Sequence, residues 1–417
     1  PGPQAPPLLR EGAFIRLWTA TTASGLATWA MPFILGLAVL DRTVTAATLG
    51  VLLAARTAGF LAAVPVGGVL ADRHSRRAIV RWAGLAAAVA TPVLAWGVER
   101  SVPLAAAAAA VVGAGQGACR PAFQALTAEV VPAHRRQQAN AAITLAVRVT
   151  TLVAPALAAL LVVLVPARTL LLATAALWLV AALAPGPGAP APAGPSGRAG
   201  FVGDFRAGVS EARRHPWFVS GLGALTLVIC LGYSATAVVL PLVSRDRYDT
   251  VAVLALATTA YVVGALAGAL LMARRQPPSA GWTALGGLGC YAFAPLALWL
   301  PVPAAAVVAA YVVAGIGIEL FNVTWFTAIQ REVEPRMLAR VSSLDFLLSY
   351  GLAPVGLALI APAVATVGTG PVLTVCAAAC LLAPLAAAFT PSARHFRSAD
   401  ANAGGAGDAG PGAAAAR

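Results

Sequence analysis

Five charged side chains stand where charge is costly. Arg56, Arg120 and Arg148 lie inside long apolar runs in the first half of the chain, and Glu319 and Asp345 inside those of the second. Insertion scales put the cost of such a group at about 2.5–3.5 kcal/mol, so each is a functional candidate by default. Carboxylates at these positions could take up and release protons. Buried guanidiniums could hold a carboxylate, catecholate or phosphate, whose geometry their planar fork matches. Each could equally be structural, paired between the two halves, with Arg120 snorkelling toward an interface. A second charged set, Gly68-Val-Leu-Ala-Asp72-Arg73-His74-Ser75-Arg76-Arg77, closes one apolar run. Its glycine permits a close helix approach, and its Asp and Arg side chains can make charged contacts with a neighbouring segment.

The elements that carry these groups follow from composition. Of 417 residues, 59% are hydrophobic and 10% charged, against about 25% charged in an ordinary soluble domain. So little polar surface cannot cover a soluble core, and the apolar runs are expected to face lipid. The net charge of +13 does not indicate a nucleic-acid partner, because the basic residues are spread over short loops instead of one face. All 28 basic residues are arginine. Without lysine the chain has no phosphate-binding loop of the Walker type and no Schiff-base amine. The cysteines (Cys119, Cys230, Cys290, Cys376, Cys380) lie in apolar runs without a metal-ligand pattern. His74, His134, His215 and His395 lie in loops and read as solvated. No metal, cofactor or catalytic residue is expected.

A bilayer crossing needs about 20 apolar residues. That rule predicts twelve helices, near 16–40, 46–70, 79–98, 102–126, 139–165 and 167–184, then 217–243, 250–273, 282–300, 303–326, 338–362 and 368–389. The fold class is therefore an all-α membrane protein of two pseudo-symmetric six-helix bundles. No charged-then-apolar leader precedes the first run, which is expected to remain as a helix. Arginines crowd alternate loops (Arg73, Arg76, Arg77, Arg81; Arg135, Arg136; Arg206, Arg213, Arg214; Arg274, Arg275; Arg331, Arg336, Arg340), so both termini are expected in the cytoplasm. The domain reading is a disordered N-terminus at 1–13, bundles at 14–184 and 216–390, a Pro/Gly linker with a surface helix at 185–215, and a disordered tail at 391–417. Phe201, Phe205 and Val209 give that linker helix an apolar face for the membrane surface. The halves also read as copies. Glu129-Val-Val-Pro and Glu332-Val-Glu-Pro stand 203 positions apart, Gly68 and Gly268 stand 200 apart, and each half has Ala-Pro in its fifth run. Repeated bundles around a midplane site are an alternating-access architecture.

The segment from Gly68 to Arg77 resembles the signature loop of the major facilitator superfamily, G-x-x-x-D-R-x-G-R-R. The resemblance implies that Gly68, Asp72, Arg73, Arg76 and Arg77 form a conformational lock, Asp72 meeting the start of the eleventh helix in the outward-facing state. Ser75 replaces a family glycine, which predicts a strained or differently shaped turn. Phe14–Leu40, Arg120-Pro-Ala, Gln137-Gln-Ala-Asn-Ala, Glu319–Trp325, Gln330 and Arg340-Val-Ser-Ser-Leu-Asp345 are similar to a bacterial exporter branch that includes enterobactin-exporter-like and macrolide-efflux-like proteins. Two departures stand out: no acid in the first run at Ala27-Thr-Trp29, and an antiporter pattern in the fifth reduced to Ala154-Pro155.

The leading expectation is a secondary transporter in the bacterial cytoplasmic membrane that exports amphipathic molecules, drug or siderophore-like, against protons. Asp345 is the first proton-coupling candidate and Glu319 the reserve. Arg56, Arg120, Arg148, Trp29, Phe33, Tyr233 and Trp325 are the substrate candidates, the other tryptophans forming an interfacial belt. Glu129, Arg135, Arg136, Glu332 and Arg340 are the cytoplasmic gate candidates. The expected partners are the bilayer, protons and a substrate with an anionic group, and the expected state is a monomer. A lipid or lysolipid flippase of the same fold is the alternative, and a non-transporting sensor a weaker one. An intramembrane enzyme fares worst, since no run holds an HExxH pair, a serine elbow or facing aspartates. Uncompensated arginines predict that lipophilic cations compete poorly with anionic and zwitterionic amphiphiles for transport. Strong preference for cations in such a panel, unaltered in Arg148→Gln, would make the arginines structural.

Overall fold

A computed structural model describes residues 8–40, 46–162, 164–186, 201–250 and 252–397. Among these residues the chain is helical throughout and contains no strand. The first half comprises α1 (Gly12–Leu40), α2 (Ala46–Arg73), α3 (Arg76–Gly97), α4 (Val102–Val130), α5 (Arg136–Leu161) and α6 (Ala167–Leu183). A connecting helix follows, α7 (Phe201–Arg213). The seventh crossing is α8 (Pro216–Leu227), a π-helical stretch Val228–Tyr233 and α9 (Ser234–Asp246). Next are α10 (Ala252–Arg274), then α11 (Ala280–Gly289) and α12 (Phe293–Trp299) joined by a 3-10 turn, and α13 (Ala304–Glu332). α14 (Leu338–Gly351) and α15 (Ala353–Val367) form the eleventh crossing, and α16 (Thr369–Ala388) the twelfth. Ten of the described helices are long and apolar enough to cross a membrane, and α6 is a shorter apolar one. With α1, whose 29 residues carry only Arg16 as a charge, they make twelve crossings.

The packing repeats between halves. α2 lies along α4, α3 between α4 and α6, and α1 against α5 and α6. Likewise α10 lies along α13, α11 and α12 against α13 and α16, and the seventh crossing against α16 and the α14–α15 crossing. The halves meet through equivalent pairs, α2 on α14 and α10 on α5.

Small residues permit the tightest of these approaches. A Cβ at Gly113 of α4 would collide with the carbonyl oxygen of Arg56 on α2, and one at Gly264 of α10 with that of Val312 on α13. Glycine stripes of this kind let backbones touch where lipid supplies no hydrophobic drive between helices.

Several boundaries and environments differ from the sequence reading. Leu8–Arg10 form a 3-10 turn with Leu8 buried, so ordered structure begins before residue 14. Residues 187–200 of the linker and 398–417 of the tail lie outside the described residues. The tail's first residues are packed: Phe396 is fully buried, stacked on Trp217 at 5.1 Å, and Arg331 donates to its carbonyl. α7 does not simply lie on the membrane. It docks on α2, α8 and α14, burying Asp204 and Ala212. His215 is buried beside Glu211 instead of solvated. Trp217 and Trp325 lie inside the second bundle, outside any interfacial belt, whereas Trp282 and Trp299 are exposed.

Gly264→Ala should lower stability by about 1–3 kcal/mol through overpacking. Gly223→Ala, with nothing near its new Cβ, should be neutral or stabilising by up to about 1 kcal/mol. Thermal unfolding of both variants in detergent checks the contrast; equal midpoints would mean that the glycine contact is not limiting.

Candidate functional site

At the Arg-rich end, the last turn of α2 meets the first turn of α14. The first N–H groups of a helix have no intrahelical acceptor, and the side chain of Met337, at the N-cap position of α14, caps none of them. Asp72 supplies it from the other half: its two oxygens accept from the Ala339 N–H at 3.1 Å and the Arg340 N–H at 3.0 Å. The positive end of the helix favours this carboxylate. Gly68, one turn back, gives the room, since a Cβ there would press on Ser343. Ser75 strains nothing: its backbone is extended, with φ −63, and its hydroxyl accepts from Ala78 N–H to cap α3.

Arg76 is buried and ties Glu129 of α4 (2.6 Å) to the carbonyl of Pro335 in the second half. Arg340 faces both Asp72 and Asp204 of α7, and Arg73 also pairs with Asp204. The connecting helix thus shares the charged cluster that joins the halves. Arg136 donates to Ala128 and Val131 in its own half and, at 2.6 Å, to Gln330 O in the other. At the equivalent junction, Gln137 at the start of α5 donates to the carbonyls of Met272 and Arg275 at the end of α10. Asn140 and Gln330 exchange hydrogen bonds across the junction, and Gln330 also reaches Gln124. Arg135 pairs with Glu11 and Glu332 with Arg331, each within its own half. Arg77 is half-buried and joins none of the ion pairs among the described residues.

Deeper in the molecule, Arg148 and Glu319 form an ion pair between the halves. Helix α13 continues past the apolar run to Glu332, which places Glu319 near its middle and level with the middle of α5. Glu319 is fully buried, with one oxygen on Arg148 and Asn322. Its other oxygen has no hydrogen-bond partner.

Among the described residues, Arg56 and Arg120 have no carboxylate partner. Arg56 donates to Gln116 Oε1 at 2.7 Å and Thr28 O at 3.1 Å, while its buried Nε has no acceptor. Arg120 lies over the rings of Phe346 (5.7 Å) and Tyr350 (5.1 Å) of α14. Trp29 and Phe33 of α1 and Tyr233 of the π-helical stretch are exposed. Such stretches occur frequently at functional sites.

Asp345 is elsewhere. Its oxygen accepts from Trp325 Nε1 at 2.9 Å, and Trp325 is sealed between Phe218 and Phe321 at 5.2 and 5.1 Å. Trp325 therefore offers no face to a ligand and, contrary to the sequence expectation, is not a substrate residue in this packing.

The sequence profile of the Major Facilitator Superfamily matches residues 17–357. The chain belongs to the major facilitator superfamily. It is a multi-pass membrane transporter and, as a member of this family, not an enzyme. Its fold is similar to the human organic anion transporter MFSD10 (TETRAN), with 17% identity, a TM-score of 0.72, and 92% of this chain and 100% of that one covered. It is also similar to the E. coli fucose:proton symporter FucP, at 14% identity and TM-score 0.68, covering 90% and 98%. A FucP structure in the outward conformation gives the same identity and score, covering 90% and 99%. No curated protein matches the sequence.

Several site residues of this facilitator escaped the sequence reading. Asp204, Gln116 and Tyr350 are not singled out by the sequence. One signal was available: all six tyrosines fall in the second half, opposite the three arginines of the first.

Asp72→Asn should open the Arg-rich end in a larger fraction of molecules, because the uncharged amide is a poorer partner for the helix end and Arg340. Asp204→Asn should do so more weakly, since Asp72 remains. Distances between spin labels placed across that end measure both; unchanged distributions in the two variants would refute the assignment.

Proposed function

We propose that this facilitator is a proton-coupled secondary transporter of amphipathic molecules bearing an anionic group, working by alternating access. Its setting is a bacterial cytoplasmic membrane, with both termini and the Arg-rich end on the cytoplasmic side. The observation that carries the reading is the Arg148–Glu319 pair between the halves. A buried ion pair broken on one side leaves an uncompensated charge, at about 3–5 kcal/mol. A proton arriving at Glu319 removes the negative member, and Arg148 then has a site for the anionic group of a substrate. When substrate and proton leave, the pair re-forms. Glu319 therefore ranks ahead of Asp345 as proton carrier, since Asp345 faces a tryptophan inside one bundle and, among the described residues, has no hydrogen bond or ion pair to the other half.

Direction has two readings. Export against protons rests on the resemblance to the exporter branch. The ion pair favours proton and anion moving together, because the same proton that discharges Glu319 makes Arg148 available. That the fold is also used by an organic anion transporter and a proton symporter is compatible with this reading.

Proteoliposomes with opposite pH gradients separate the two. Co-movement predicts faster uptake of a labelled amphipathic anion when acid is on the side of the substrate, and exchange predicts the reverse. Glu319→Gln should abolish pH-driven accumulation while keeping substrate exchange at equal pH. Asp345→Asn should keep both. Undiminished pH-driven transport in Glu319→Gln would sink the coupling role.

A further inference from the structure

The central charges do not balance. Arg120 and Arg148 meet the second half, and Arg56 lies on α2 against Gln116 of α4; among the described residues the one carboxylate that meets these three guanidiniums is Glu319, on Arg148. Among the described residues neither Arg56 nor Arg120 pairs with an acid, and the two repel each other. They are also held close. α2 and α4 touch at Gly113 and Gly117, whose added Cβ atoms would meet the backbones of Arg56 and Phe60. Gln116, which binds Arg56, lies one helical turn before Arg120 on α4, about 6 Å along the axis. Arg56 Nε is buried without an acceptor. The guanidinium of Arg120 rests on aromatic rings, which support its charge without neutralising it. Tyr350 carries its ring under Arg120, and Arg120, toward the end of α4, stands at about the same level as Arg148 on the neighbouring α5.

We propose that Arg56 and Arg120, with Gln116 between them, form a second anion subsite near the level of Arg148, and that the preferred substrate is an aromatic dianion. This rests on the reading of Arg148 as the first anion site and adds the number and placement of the negative charges. One carboxylate or phosphate oxygen pair of the substrate competes for Arg148. The other lies between Arg56 and Arg120, accepting from the free Nε. The aromatic body lies along Tyr350 and Phe346. A monoanion leaves the Arg56–Arg120 repulsion in place and gains only the first contact.

The test uses purified full-length transporter in nanodiscs and two matched probes, naphthalene-2,6-dicarboxylate and its monomethyl ester, by titration calorimetry. Wild type should bind the dianion at least tenfold more tightly. Arg56→Gln and Arg120→Gln should each reduce dianion affinity to that of the ester and leave ester affinity within twofold, whereas Arg148→Gln weakens both probes. Equal wild-type affinities, or equal losses for both probes in Arg56→Gln, overturn the second subsite while leaving Arg148 as an anion site. Failure of wild type to bind either probe overturns the anion reading itself. Should a glutamine variant fail to give a single gel-filtration peak, the wild-type comparison at two salt concentrations decides. The dianion should lose affinity more steeply with salt than the ester, and parallel losses reject the proposal.

Discussion

Glu319 is a carboxylate buried in the middle of a 29-residue apolar helix. Nothing in its own bundle neutralises it, and its counter-ion comes from α5 of the other half. In a low-dielectric interior such a charge must be paired or discharged. The level at which the halves touch is therefore set by electrostatics as much as by shape. Separating them there requires giving both charges new partners, so anything that neutralises one member biases the whole arrangement. The hydrogen bonds of Asn140 and Gln330, nearer the Arg-rich end, hold the junction without charge and carry no comparable condition.

The Arg-rich end works on a related principle with backbone groups. A helix start left without its own cap is completed by a carboxylate from the opposite bundle. Local structure in one half is thus finished only when the halves are closed at that end. Gln137 does the complementary job at the equivalent junction, donating to carbonyls that close α10. One contact satisfies orphan donors and the other orphan acceptors. Around the first, Arg340 is shared between Asp72 and Asp204, so the chain segment linking the bundles takes part in holding them together.

Much of this was legible in the sequence, for identifiable reasons. Crossing count and duplication follow from hydropathy and from the repeated Glu-Val-x-Pro and Ala-Pro patterns, both local properties. The charged residues within apolar runs stand out because hydrocarbon makes them conspicuous. Their pairing was not legible: Arg148 and Glu319 are 171 positions apart, and the true length of α13, which sets the depth of Glu319, exceeds the apolar run by the polar turn Thr327–Glu332. Trp325 looked like a ligand-stacking residue because its neighbours in space, Phe218 and Phe396, are remote in sequence. α7 read as membrane-bound because its apolar residues cannot reveal that Asp204 on the same helix has arginines waiting.

The glycines at the α2–α4 contact have a mechanical meaning. Two helices joined backbone to backbone over several turns have no side-chain layer to slide or compress. Arg56 stands on one of them and Arg120 on the other, so the separation of their backbones is fixed like the jaws of a set caliper. The opposing wall is of another kind: Tyr350 stands on α14, which breaks at Leu352 before α15 resumes, and Tyr233 on a π-helical stretch. The first half thus carries these two arginines on a rigid pair of helices, and the second these two tyrosines on interrupted ones.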